Sequence, residues 1–137
     1  MRLLVVVLLL ISSGRSMGSC LSQSLKQNFS KYDEIFVGTV EAIRKSKNPA
    51  GNLIIVRVFK FEWIKGAGTE KVVLFVPYYV SERSLSSVAI EFKKDAKYLI
   101  YASRHKGQLH PSPCTTVSYS DRTKQDVEEL QQLAKRD

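Results

Sequence analysis

The chain is short of the residues that build catalytic chemistry. It has two cysteines, two histidines and one tryptophan in 137 residues. The histidines, His105 and His110, stand beside turn residues and have no HExxH or other metal-ligand spacing. There is no GxSxG, and the seven glycines form no phosphate-cradling loop. Glu62 and Glu91 are isolated acids. These shortages point away from an enzyme: no catalytic residue, cofactor or metal ligand is expected. Internal repeats and low-complexity segments are also missing. So are long apolar runs. The nine residues Leu3 to Ile11 are far fewer than the roughly 20 that a membrane-crossing helix needs.

That short run is itself informative. Arg2, the apolar stretch and the small residues after it have the order of a secretory signal peptide, placed at 1–18, before a single domain at 19–137. Gly14 and Ser16 would allow cleavage before Met17, and Ser16 and Gly18 before Ser19. The expected product is secreted and extracellular, without a transmembrane segment. Its charge is +8 for the full chain, and 8 − 2 = +6 once Arg2 and Arg15 leave with the signal. A surplus of this sign attracts anionic partners over long range.

Cys20 follows Ser16, Met17, Gly18 and Ser19, and three roles are open to it. It could carry a lipid at a lipobox-like site and make the chain a surface lipoprotein, although Met17 suits that site poorly. It could begin the mature protein. It could pair with Cys114, as an even pair in an oxidising compartment suggests. A loop of about 95 residues closed in this way would gain roughly 4–5 kcal/mol from chain entropy.

Periodicity gives the elements. Leu21, Leu25, Phe29 and Tyr32 mark one face of a helix, with Ser22 as its cap. Strands are expected over 34–43, 53–64, 71–78, 88–92 and 97–103 from their β-branched and aromatic content. Gly38 predicts a bulge or a close backbone approach. On the second strand, Leu53, Ile55, Phe59, Phe61 and Trp63 share a face that reads as core, broken by Arg57. The opposite face turns polar at Lys60 and Glu62. Residues 108–117 are extended but limited by Pro111 and Pro113. The last segment is a helix with the stripe Val127, Leu130, Leu133 and Ala134, capped by Thr123 with Asp126. About five strands with a helix near each end, and no βαβ alternation, predict a mainly β fold. It should be an OB-like five-stranded antiparallel barrel with an N-terminal and a C-terminal helix.

Motifs in order along the chain carry a resemblance. "FSKYDEIFVGTV", "WIKG", "FKKDAKYLIYAS" and "LHPSPCTT" together resemble the netrin-like family, which includes the tissue inhibitors of metalloproteinases. The likeness covers roughly Cys20 to Leu133 and implies an OB-like barrel. It also implies a Cys20–Cys114 disulfide. The family's other bridge is missing on both sides, because Gly18 and Val88 stand at its two positions. In the inhibitors, the mature N-terminal amine chelates the protease zinc at its open position. The resemblance therefore implies Ser19 and Cys20 as an inhibitory N-terminus and a metalloproteinase as partner.

The expected function is thus a non-enzymatic extracellular binding module, possible partners being a protease, another protein or a sulfated glycosaminoglycan. The polyanion would meet Arg44, Lys45 and Lys47, then Lys93, Lys94 and Lys97, then Arg104 and Lys106, if the turns gather at one end of the barrel. Phe59, Phe61 and Trp63, read as core, leave no stacking platform for nucleic acid. Asn28-Phe29-Ser30 is a sequon, and Asn28 is expected to face outward and accept a glycan.

Overall fold

The computed structural model describes residues 23–48, 51–78 and 91–136. The expected signal peptide, the cleavage sites, Ser19 and Cys20 lie outside the described residues. Helix α1 (Leu25–Lys31) opens on Ser24, whose hydroxyl accepts from the Gln27 amide while the Gln27 side chain accepts from the Ser24 amide. This reciprocal capping box starts the helix; the expected cap at Ser22 falls outside the described residues.

Five strands then close a barrel: β1 (Glu34–Asn48), β2 (Gly51–Lys65), β3 (Lys71–Tyr78), β4 (Lys97–His105) and β5 (Gln108–Pro111). Their order is β1-β2-β3-β5-β4, and β4 returns to pair with β1. All pairings are antiparallel except β3 with β5, which is parallel at Leu74 and Leu109. Closure removes the free edges that an open sheet would expose. A two-residue strand, β6 (Val117–Ser118), adds to β4, and helix α2 (Asp121–Arg136) follows. The mainly β, OB-like barrel with one helix before and one after is the expected fold.

Two apolar clusters hold it. Phe36, Val40, Val56, Val58, Leu74 and Ile100 fill the barrel with Phe92, whose ring meets Tyr98 edge-on at 4.9 Å. Ile35, Val37, Leu99 and Tyr101 face the other way and are covered by Phe29 of α1 and Val127 and Leu130 of α2. β1 can serve both clusters because its side chains alternate.

Several expectations change. The loop expected at 44–52 is instead the far end of one long β1–β2 hairpin, so Arg44 and Lys45 lie in a strand. Of the strand expected at 88–92, residues 91–92 are not in a strand, and the rest lies outside the described residues. Helix α2 starts on Ser120, whose oxygen accepts from the Thr123 amide; Thr123 is buried and donates to the Ser118 carbonyl. The cap is therefore three residues earlier than the Thr123–Asp126 pattern suggests.

Gly38 behaves as expected. The β1–β2 register breaks there, and a Cβ would stand 2.3 Å from Val58 Cγ1 and 3.1 Å from the Phe59 carbonyl.

Candidate functional site

The largest departure concerns β2. The barrel buries Val56, Val58 and Lys60, the face that turns polar in the sequence, and turns Arg57 and Phe59 outward. Phe59, Phe61 and Trp63 are 41%, 57% and 43% exposed, so they are surface residues and not core. Three breaks in the β1–β2 register leave Glu41, Phe61 and Ile64 without a cross-strand partner. The bulges do not shift the alternation on β2: burial keeps a period of two from Val56 to Ile64, so the strand is inverted as a whole.

Lys60 tolerates burial because charge and dipoles meet it. Its ammonium donates to Glu34 Oε1 at 2.9 Å and to the Ala67 carbonyl at 2.9 Å, and lies 4.7 Å from the centre of the Phe36 ring. Arg104 pairs with the other oxygen of Glu34. Gly66 lies against Glu34 with φ +103°, where a Cβ would come 2.4 Å from Glu34 Cγ. The β2–β3 turn, the start of β1 and the end of β4 are thus joined by one buried charge group. Glu34 is 26 residues from Lys60, and Ala67 meets it through a backbone carbonyl of the following turn, so the strand pattern carried no signal for this inversion.

The outward face of β1, β2 and β3 forms aligned rows. Arg44, Ile55 and Phe75 lie side by side, then Ala42, Arg57 and Val73, then Thr39, Phe59 and Lys71. Val73 is 38% exposed. Beyond Phe59, the Lys97 ammonium sits 4.2 Å from the Phe61 ring centre and 5.0 Å from that of Tyr119, within cation–π range. Trp63 Nε1 donates to the Thr69 carbonyl at 3.0 Å, which fixes the indole against the β2–β3 turn. Lys71 shares a surface ion pair with Glu41 at 3.4 Å; Arg44 and Arg57 form no ion pair among the described residues. From Ile55 to Phe61 this face runs roughly 20 Å, and three strands make it about 10 Å wide.

The expected basic clusters do not gather at one end. The 94–95 turn hydrogen-bonds to Val40, so Lys93 and Lys94 stand beside the middle of β1, with Lys97 close by opposite Thr39. Arg44 and Lys45 lie farther along β1. Arg104 is engaged by Glu34 at the start of β1, and Lys106 occupies the tip of the β4–β5 hairpin with φ +50°. Ten residues of β1 separate Glu34 from Arg44, roughly 33 Å. Arg104 and Lys106 therefore leave the group, and Arg57 and Lys71, which the sequence did not single out, join it. For Lys47 only its place near the hairpin tip is described.

Cys114 sits exposed in the turn after β5 and is not a free thiol. Asn28 does not face outward: it is a buried residue of α1, 7% exposed. His110 Nδ1 lies 2.9 Å from the Phe75 carbonyl and therefore carries its proton there, and the His105 and His110 rings are 6.5 Å apart on β4 and β5. Among the described residues no group of three histidines, cysteines or acids could hold a metal ion. No helix among them is long and apolar enough to cross a membrane.

Compared with known proteins, the chain matches no family model and no curated protein. The class defined by fold and surface is an OB-like barrel with an aromatic and cationic outer face.

Proposed function

We propose that the protein is a secreted, non-enzymatic binding module of netrin-like type that engages a sulfated polysaccharide across the outer face of β1 to β3. One observation supports this most: Phe59 and Phe61 are exposed on a strand flanked by Arg57, Lys71 and Lys97. Aromatic rings left in water on a soluble domain have a use when a ligand covers them. Pyranose rings can stack their C–H faces on such rings, and sulfates can bridge the cations on either side. The positive net charge favours encounter with the same ligand. The signal-peptide pattern and the ordered motifs support the extracellular and netrin-like parts of the reading.

The test is retention of the secreted protein on immobilised heparin in a salt gradient. Arg57→Glu and Phe61→Ala should each elute at lower salt than wild type, and Lys106→Glu, placed elsewhere, should elute close to it. If Lys106→Glu falls most and the two face variants elute with wild type, the assignment to this face is wrong. Tighter binding of an oligothymidylate than of a heparin fragment at equal ionic strength would replace the polysaccharide with nucleic acid.

A further inference from the structure

A second site lies away from this face. A half-open pocket of about 230 Å³ is lined, among the described residues, by Gln23, Leu25 and Asn28 of the α1 segment, Tyr101 of β4, Cys114 and Thr115, Val117 and Asp126 of α2. Two of its acceptors are unmatched. Asn28 Oδ1 is buried and has no hydrogen-bond partner. Asp126, half-buried on α2, forms no ion pair or hydrogen bond among the described residues. Buried acceptors are almost always matched by a donor, and an orphan calls for one from outside the fold. The Tyr101 phenol also borders the cavity. Burial first, and then the charges of Asp126 and of Tyr32 when ionised, raise its pKa far above the ordinary range, so it stays neutral and adds no second negative charge.

We infer that this cavity binds a primary alkylammonium group. One carboxylate supplies one charge, which balances one ammonium. A divalent metal would want more carboxylates than this. The ammonium's three N–H donors suit Asp126, Asn28 Oδ1 and a hydroxyl. Leu25 and Val117 suit the apolar stem behind the head. A lysine side chain of a partner polypeptide and a free diamine present the same head, so the chemistry is shared between those two sources.

The experiment is titration of the isotope-labelled secreted protein, followed by NMR, with 1,5-diaminopentane, with Nα-acetyl-lysine amide and with 1-pentanol as the uncharged control. Both amines should give saturable shifts at the Asn28 side-chain amide and at the Thr115 and Asp126 backbone amides, and the alcohol should not. Binding of the lysine amide at least threefold tighter than of the diamine would assign the site to polypeptide; the reverse order would assign it to free amines. Asp126→Asn, which loses no contact with the described fold, should weaken amine binding by roughly tenfold, the loss of one charge-assisted hydrogen bond. Asn28→Asp should tighten it, a gain that misfolding cannot imitate. Equal response to the alcohol, no saturation by either amine, or unchanged binding in Asp126→Asn would each overturn the inference.

Discussion

Replacing Lys60 by methionine tests the inversion of β2 most directly. The ammonium is nearly solvent-free, with its side chain 1% exposed, and is matched by Glu34 and the Ala67 carbonyl. Removing one member of a buried ion pair costs about 3–5 kcal/mol, because the other charge stays behind. Lys60→Met should fall at the low end, about 3 kcal/mol, since Arg104 still pairs with Glu34 from the half-exposed side. Glu34→Gln leaves Lys60 only neutral acceptors and should cost more, about 4 kcal/mol. For a domain of this size 1 kcal/mol moves the melting temperature by roughly 3–5 °C, so Lys60→Met should melt about 10 °C lower. The two changes combined should cost less than their sum by at least about 1 kcal/mol, because each alone strands the other's charge. Circular dichroism during urea and thermal unfolding measures all three. Lys71→Met is the control: its pair with Glu41 is on the surface, and the change should cost less than about 1 kcal/mol. If Lys60→Met costs no more than Lys71→Met, Lys60 is in water and the assigned faces of β2 are reversed.

Two further expectations follow from close contacts and burial. Gly38→Ala should destabilise by about 1–3 kcal/mol, because its Cβ meets Val58 at 2.3 Å and the Phe59 backbone cannot yield easily; chemical denaturation that finds it neutral would contradict the packing at the bulge. Tyr101 holds its proton far more tightly when folded than when unfolded. Stability from this group is therefore complete below the unfolded tyrosine pKa, near 10, and declines above it by up to about 1.4 kcal/mol per pH unit. Unfolding at successive alkaline pH values should show the decline reduced in Tyr101→Phe, and an identical decline in the two proteins would reject it.

Much of the fold was legible in local chemistry. β-branched runs, the Lys106-Gly107 turn with both residues at positive φ, and the acidic-to-basic order of α2 each act within a few residues. They place β3, β4 and α2 close to where the structure has them. Element ends were less legible. The cap of α2 moved to Ser120 because Thr123 found a better partner in the Ser118 carbonyl. The turn-like Asn48–Gly51 stretch reads the same whether a hairpin is short or long; the pairing of Arg44 to Lys45 with Ile55 to Ile54 made it long.

The candidate binding face was not legible, and neither was the cavity. Large aromatic side chains normally belong inside, so Phe59 and Phe61 read as core and Lys60 as surface. The sequence by itself determined which segments become strands and helices, since those choices rest on side-chain shape, turn chemistry and caps. Only the tertiary structure decided which face of β2 points inward. That choice depends on barrel closure and on Glu34, at the start of β1, joining the Ala67 carbonyl of the following turn to match a buried ammonium.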